Sequence, residues 1–170
     1  HNPEFVDDVI ATVKNSVARM TGLMAQMRSG ERGAKAKPVN LGELLVKVVD
    51  TTTGREPVVK FDMVSEEVYV LADSGQLATV FGHMIQNAQD ATDKSGRVSV
   101  SLDVGTDNAV VEVEDTGIGM EPDFVRNRLF KPFDSTKGLT GMGVGAFESR
   151  EYIRSLDGDI SVISAPGEGS

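Results

Sequence analysis

At 170 residues and 18.2 kDa, the chain is long enough for one domain with an appended element. Its net charge of −9 and its isoelectric point of about 4.7 argue against a surface for nucleic acid or for an anionic membrane. The absence of cysteine excludes disulfides and thiolate metal sites and indicates a reducing compartment. We find no apolar run long enough to span a membrane and no signal peptide, and both chain ends lead us to expect a fragment of a longer protein.

The first 28 residues carry an unbroken heptad pattern. The apolar seam consists of Val6, Ile10, Val13, Val17, Met20, Met24 and Met27. Such a seam predicts a long helix that packs on a partner helix, either within its own domain or in a dimeric bundle. We expect the second arrangement, a homodimer through residues 5–27. Glycines and a proline in residues 29–38 then predict a hinge.

From residue 40 onward the pattern predicts a mixture of helices and strands. Asn40 with Glu43 predicts the capped start of a helix over 41–52, and Asp73 with Gln76 predicts the start of a second helix over 74–92. A third helix is predicted over 143–156, and residues 119–140 are predicted to be a long loop. Predicted strands cover 58–63, 68–72, 97–104, 109–114 and 159–164, with a hairpin between the third and the fourth. This order predicts a mixed sheet covered by helices on one face.

Three polar residues share one stripe of the second predicted helix. His83, Asn87 and Asp90 follow one another at helical spacing, so they lie on the same face. This stripe either faces water or contacts a ligand. An amide oxygen such as that of Asn87 suits a Mg²⁺ ion that keeps several waters and takes its other ligands from substrate phosphates.

Asp115 ends a strand on its apolar side. By the two-residue period it shares a face with Val111 and Val113, whereas Glu112 and Glu114 point the other way. A carboxylate in a buried position needs a donor, and the following glycines let backbone approach closely. The exocyclic amino group of adenine is a fitting donor. The alternative is an aspartate that caps a turn.

A second glycine run precedes the third predicted helix. Glycines at 141, 143 and 145 would expose free N–H groups and the positive end of the helix dipole to phosphates. Lys131 and Lys137 flank this run and could supply positive charge. A glycine run of this kind is also typical of a flexible loop.

The order of these motifs resembles the ATP-binding module of sensor histidine kinases. The motifs are Asn87, Asp115-x-Gly117-x-Gly119, Phe130-Lys-Pro-Phe133 and Gly141-x-Gly143-x-Gly145. That module belongs to the GHKL superfamily, with gyrase, the Hsp90 chaperones and the MutL repair proteins. The resemblance covers about 40–170, while residues 1–30 resemble the second helix of the kinases' dimerisation and phosphotransfer domain, followed by a linker over 31–39. The sequence of residues 82–92 and 133–160 is most similar to that of PrsK-type kinases of the exosortase (PEP-CTERM) system.

The resemblance implies a two-layer α/β sandwich, the GHKL or Bergerat ATP-binding fold, with a preceding long coiled-coil-type helix. It implies that Asn87 coordinates Mg²⁺, that Asp115 bonds adenine, and that Phe130 and Phe133 anchor the base of a lid. The remaining residues of the implied ATP site are His83, Asp90, Gly117, Gly119, Lys131, Lys137, Gly141, Met142, Gly143, Val144 and Gly145.

The sequence departs from the family pattern in three ways. His83 stands where many of these kinases have an asparagine, and Asp90 stands where many have a basic residue, which leaves phosphate charge to Lys131 and Lys137. The final strand that usually follows Gly-x-Gly-Ser/Thr is absent.

The resemblance implies a two-component kinase without its own phosphoacceptor. The only histidines are His1 and His83, and neither fits the acceptor, so we expect the acceptor helix upstream. The γ-phosphoryl group of ATP would pass to that histidine and then to an aspartate of a response regulator. The implied cofactors are ATP and Mg²⁺. The resemblance also implies that this fragment belongs to the cytoplasmic portion of a membrane-anchored bacterial kinase. We expect the fragment itself to contact neither nucleic acid nor a membrane. The alternatives are a GHKL-type ATP hydrolase and a non-catalytic nucleotide-binding dimerisation module.

Overall fold

A computed structural model of the chain describes residues 36–63, 67–105, 108–132 and 144–170. Within these ranges Ala36–Ser170 forms one unit. The predicted heptad helix lies outside the described residues, as do Phe133, Lys137 and residues 141–143.

Five strands and four helices make up the described part of the chain. The strands are β1 (Lys37–Asn40), β2 (Val59–Met63), β3 (Tyr69–Ala72), β4 (Val98–Val104) and β5 (Ala109–Asp115). The helices are α1 (Leu41–Thr51), α2 (Ser74–Ala91), α3 (Pro122–Asn127) and α4 (Gly145–Arg154). None of these helices is long and apolar enough to cross a bilayer.

The strands form two sheets. β1 and β3 pair antiparallel, while β2 runs parallel to β4 and β4 runs antiparallel to β5. The predicted hairpin is therefore confirmed, and the three-stranded sheet is mixed, as expected.

Side-chain caps define the starts of α1 and α2. Asn40 Oδ1 accepts a hydrogen bond from the N–H of Glu43 at 3.2 Å, and Asp73 Oδ1 accepts one from the N–H of Gln76 at 3.0 Å. Each cap satisfies an N–H group that has no partner inside its helix. Both predicted caps are confirmed.

The core lies between the three-stranded sheet and the helices. In β4 the side chains of Val98, Val100 and Leu102 are fully buried, and α1 and α2 bury side chains at intervals of three and four residues. The buried apolar side chains include Leu41, Leu44, Leu45, Val48, Leu77, Val80, Phe81, Ile85, Ala88, Val98, Val100 and Leu102. The helices therefore cover one face of the sheet, as predicted.

Tyr152 anchors α4 to the start of α2. Its side chain is buried, and its hydroxyl accepts a hydrogen bond from the N–H of Asp73 at 3.0 Å and lies 3.2 Å from the carbonyl oxygen of the same residue, to which it donates. Asp73 is also the N-cap of α2. One phenol group therefore sets the position of α4 against α2.

We expect Tyr152→Phe to lower the free energy of unfolding by about 1–3 kcal/mol, because the partly buried backbone groups of Asp73 lose their partner. Urea denaturation followed by circular dichroism measures the change. Tyr69→Phe is the matched control, since Tyr69 is 57% exposed, and should change stability by less than about 0.5 kcal/mol. Equal effects of the two variants would contradict this role for the Tyr152 hydroxyl.

Two elements were not predicted from the sequence. Residues 37–39, which the sequence analysis includes in the linker, belong to β1, where Val39 pairs with Val70. The predicted loop over 119–140 contains α3, which has Pro122 in its first turn and Asp123 beside it. Proline at a helix start and an acid in the first turn are the signals that could have revealed α3.

The predicted strand over 159–164 is wrong. Alternate burial holds there, since Ile160 and Val162 are half-buried while Ile163 is 91% exposed. However, no hydrogen bond between two backbone groups joins these residues to another described residue. The backbone that exchanges hydrogen bonds with Asp115 at the end of β5 is that of Ser170. The segment therefore has the side-chain pattern of a strand without a neighbouring strand to pair with.

Candidate functional site

Asp115 is a buried carboxylate at the end of β5. It is 6% exposed, and its Oδ1 accepts a hydrogen bond from the N–H of Gly117 at 2.8 Å. No described residue donates a hydrogen bond to Oδ2, and that oxygen is accessible to solvent. The burial predicted from the strand period is confirmed. One oxygen is thus fixed by the backbone while the other can accept a hydrogen bond from a ligand.

The glycine turn after Asp115 is packed against the end of α2. The N–H of Ile118 donates to the carbonyl oxygen of Ala91 at 3.1 Å. A Cβ on Gly117 would lie 2.4 Å from that same oxygen, which is too close for any side chain. Asn87 lies four residues before Ala91, so it is one helical turn, about 6 Å along the axis, from this contact. The turn is therefore fixed close to the polar stripe of α2.

Position 119 requires glycine for two reasons, its backbone conformation and its close packing. Its φ is +65°, and a Cβ there would lie 1.9 Å from the carbonyl oxygen of Ala165. The neighbouring N–H of Met120 donates to Ser164 Oγ at 2.8 Å. Both the backbone conformation and the close approach restrict this position to glycine.

The three residues of the polar stripe on α2 have different surroundings. His83 is half-buried, and its Nδ1 lies 3.4 Å from the position that a Cβ on Gly145 would occupy. Asn87 is exposed. Asp90 forms an ion pair with Arg55, with 3.2 Å between Oδ1 and the guanidinium. The stripe thus extends from the first residue of α4 to the loop that follows α1.

The structure describes the last two residues of the second glycine run. Val144 precedes α4 as its N-cap residue, and Gly145 is the first residue of that helix. Lys131 is exposed and follows Phe130. Gly141, Met142, Gly143 and Lys137 lie outside the described residues.

An ion-pair cluster that the sequence analysis missed supports Phe130. The guanidinium of Arg150 lies 4.4 Å from the centre of the Phe130 ring. The same group contacts Asp159 through two hydrogen bonds of 2.8 and 3.1 Å, and Arg154 adds a third at 3.2 Å. α4 is thereby joined to the residue at which the lid motif begins.

The pKa values of this cluster follow from its contacts. Hydrogen bonds from Arg150, then from Arg154, hold the pKa of Asp159 well below its usual range, and the hydrogen bond to Asp159 raises the pKa of Arg150. Because the pKa of Asp159 is depressed on folding, its stabilising effect is present above the unfolded-state pKa and is lost only as pH falls through the folded-state pKa. The cluster should therefore persist at mildly acidic pH.

We expect a double-mutant cycle with Arg150→Ala and Phe130→Leu to give a coupling energy of about 0.5–1 kcal/mol, because a cation over an aromatic face is stabilising. Thermal or urea unfolding of the four proteins measures it. The chain supplies a comparison pair, Arg128 over Phe124 at 5.3 Å, whose greater distance should give a smaller coupling. Coupling that is no larger for Arg150 than for Arg128 would contradict this assignment.

The described residues do not form a protein cage for a metal. No group of three or more histidine, aspartate or glutamate side chains in this part of the chain could hold an ion. A Mg²⁺ ion bound by one amide oxygen, by waters and by substrate phosphates does not require such a cage. The exposed amide of Asn87 is compatible with that type of binding.

Comparison with known proteins identifies the domain. Residues 72–170, more than half of the chain, match the family described as Histidine kinase-, DNA gyrase B-, and HSP90-like ATPase. The chain belongs to this family.

Its relatives include the sensor histidine kinase RppB of Synechocystis, 32% identical over 64% of this chain and 25% of RppB, and the sensor protein CreC of Escherichia coli, 26% identical over 93% of this chain and 34% of CreC. The fold is that of full-length ShkA solved in complex with AMPPNP, with a TM-score of 0.72 and 22% identity over 98% of this chain and 36% of ShkA.

The expectations of the GHKL-type ATP-binding family, of its α/β fold in the described residues and of ATP binding are thereby confirmed. The chain contains the ATP-binding catalytic domain of a two-component sensor histidine kinase. It spans about a quarter of the length of RppB and a third of that of CreC.

Proposed function

We propose that this kinase domain transfers the γ-phosphoryl group of ATP to a histidine on a helix upstream of residue 1, from which it passes to an aspartate of a response regulator. The observation that supports this most is the environment of Asp115. Its carboxylate is buried and oriented by the N–H of Gly117, and it lies beside the end of the helix that carries Asn87. A fixed acceptor next to an exposed polar helix face suits a nucleotide.

Asp115 recognises the adenine base in this proposal. With Oδ1 held by the backbone, Oδ2 is left to accept from the exocyclic amino group of adenine. Guanine has a carbonyl at the equivalent position, so it would meet the carboxylate with an acceptor. Gly117 and Gly119 shape the pocket, because any side chain at either position would force the turn away from Ala91 or Ala165.

Asn87 holds a Mg²⁺ ion in this proposal, through its amide oxygen. Bound Mg²⁺ would neutralise charge on the phosphates, as in phosphoryl transfer generally. The start of α4 contributes backbone N–H groups at Val144 and Gly145, which carry the partial positive charge of a helix N-terminus. Gly141, Met142, Gly143, Lys131 and Lys137 complete the proposed phosphate contacts.

The residues of this domain orient the nucleotide and neutralise its charge rather than form a covalent bond to it. Such positioning can supply much of the rate enhancement when the acceptor nucleophile comes from another element. His83 is half-buried and lies beside Gly145, the first residue of α4. In this proposal the acceptor histidine supplies the nucleophile, so no water-activating base is needed.

We also propose a domain order for the chain and a type for its parent protein. We propose that residues 1–30 are the second helix of a dimerisation and phosphotransfer domain, that a linker follows, and that the catalytic domain begins with β1 at Lys37. Dimerisation would use the seam within residues 5–27. The parent would be a membrane-anchored bacterial kinase of the PrsK type, a narrower proposal that rests only on the resemblance described for residues 82–92 and 133–160.

A second candidate is an ATP hydrolase of the same superfamily. His83 favours it, since the imidazole is a proton acceptor that lies against the first residue of α4. A hydrolase needs a base that activates water, and no glutamate stands one turn before Asn87. His83 would have to take that role.

Incubation with ATP and a separately produced acceptor helix bundle of the parent distinguishes the two functions. We expect acid-labile phosphohistidine on the bundle, slow phosphate release without it, and little effect of His83→Ala on that release. Asn87→Ala should abolish Mg²⁺-dependent ATP binding, whereas Asn108→Ala, an exposed asparagine in the β4–β5 turn, should not. Steady phosphate release that is lost in His83→Ala, with no phosphohistidine, would instead establish the hydrolase.

A further inference from the structure

A cavity lies between the end of α1 and the outer face of α2. It has a volume of about 260 Å³ and is lined by Thr51, Thr52, Arg55, Thr79, Gly82, His83 and Gln86. Its lining side chains are polar, and Arg55 is the only permanently charged residue among them.

The donors available inside this cavity are few. The hydroxyls of Thr51, Thr52 and Thr79 each donate to a backbone carbonyl of their own helix or turn, at 2.6 to 2.9 Å. An anion in the cavity would therefore be met by Arg55, His83 and Gln86. Among these, the guanidinium carries a fixed positive charge and the largest number of N–H groups.

α2 brings no cation of its own. From Ser74 to Ala91 it contains neither lysine nor arginine, although it carries the polar stripe with Asn87. Arg55 comes from the loop after α1 and is held against this helix by Asp90 at 3.2 Å. A nucleotide phosphate chain beside α2 would thus meet the positive charge of Arg55, which comes from a different element.

The ion pair is not needed to attach that loop to α2. Gln89 is buried, and its Nε2 donates to the carbonyl oxygen of Pro57 at 2.9 Å. Lys94 and Glu56 form a further, exposed contact at 3.9 Å. Because Arg55 is about half exposed, its pairing with Asp90 contributes little to stability. The position of Arg55 is therefore better explained by a ligand.

His83 joins the cavity to the start of α4. It lines the cavity, and its imidazole also lies against Gly145. His83 thus lies between the N–H groups of α4 and the cavity that contains Arg55, on the course that the phosphate chain would follow.

We propose that Arg55 binds the phosphate chain of the nucleotide and supplies the positive charge that α2 lacks. This inference rests on the proposed nucleotide site and adds a residue to it. Arg55 was missed by the sequence analysis because its partner Asp90 lies 35 residues away.

The test compares affinities for ATP and for adenosine, which has the same base and no phosphate. Both are titrated into the wild-type protein, Arg55→Ala, Arg55→Lys and Lys94→Ala, with binding followed by protein-observed NMR so that weak adenosine binding is measurable. We expect Arg55→Ala to weaken ATP binding about tenfold or more, as loss of a charge-assisted hydrogen bond would, and to change adenosine binding less than about twofold. Arg55→Lys should recover part of the ATP affinity, and Lys94→Ala, which removes a cation from the same loop contact, should alter neither affinity.

The outcomes separate the possible failures. Equal weakening of ATP and adenosine binding in Arg55→Ala would mean that Arg55 only braces the loop, and unchanged ATP binding would also overturn the inference. If the wild-type protein bound adenosine no more weakly than ATP, phosphates would not be recognised at all, and the proposed nucleotide site itself would be wrong. Circular dichroism of each variant establishes that it is folded before titration.

Discussion

Asp115→Asn is expected to weaken ATP binding by about 10- to 150-fold, equivalent to about 1.5–3 kcal/mol. The N–H of Gly117 lies 2.8 Å from Oδ1, so the oxygen of an asparagine would take that place and its NH₂ group would replace Oδ2. A donor would then face the amino group of adenine. The same NH₂ group could donate to the carbonyl of guanine, so the preference for ATP over GTP should shrink or reverse. Calorimetric titration with both nucleotides measures this directly.

The control for Asp115→Asn is Glu114→Gln. It makes the same chemical change one residue earlier, on the exposed face of β5. ATP affinity of that variant should match the wild type. Equal affinities of the wild-type protein for ATP and GTP would rule out adenine recognition by Asp115, even if the aspartate proved important for folding.

Gly119→Ala is expected to destabilise the fold by about 2–5 kcal/mol. The residue has a φ of +65°, which costs about 1–2 kcal/mol for an alanine, and its Cβ would lie 1.9 Å from Ala165, so the backbone must shift at a further cost of about 1–3 kcal/mol. Urea denaturation measures the loss. Because the shift moves the turn that follows Asp115, any folded Gly119→Ala protein should also bind ATP less tightly.

Gly167→Ala separates the two contributions. Gly167 has a similar φ of +79°, but a Cβ there would meet nothing within 4 Å. Its substitution should therefore cost only the conformational part, about 1–2 kcal/mol. If the two variants lost the same stability, close packing of Gly119 against Ala165 would not be what restricts that position.

The features predicted correctly from the sequence are those set by neighbouring residues. The caps at Asn40 and Asp73 depend on contacts three residues apart, and the apolar faces of α1 and α2 follow from helical period. The burial of Asp115 follows from strand period, because Asp115 lies two residues after Val113 and therefore on the same face. These patterns are local, so composition and spacing are sufficient to reveal them.

The features that were missed depend on partners distant in the chain. β1 exists because it pairs with β3, whereas residues 159–164 do not form a strand because no described strand pairs with them. The contact of Arg55 with Asp90 and the contact of Arg150 with Phe130 exist only in the folded chain, so neither arginine could be assigned to the site from the sequence. A single sequence does not show which distant residues form pairs. The motifs of the site could therefore be predicted from the sequence, whereas its charged contacts could not.

The turn that follows Asp115 is closed by residues from the far end of the described chain. The N–H of Asp115 donates to Ser170 at 2.9 Å, the N–H of Gly167 to Ile118 at 2.8 Å, and the N–H of Met120 to Ser164 across 44 residues of sequence. Closing so long a segment costs chain entropy before any contact compensates for it. The base pocket should therefore assemble late in folding and open before the core does. Hydrogen–deuterium exchange at the Asp115 amide would then respond to nucleotide occupancy, because a ligand that binds only the closed turn slows its opening.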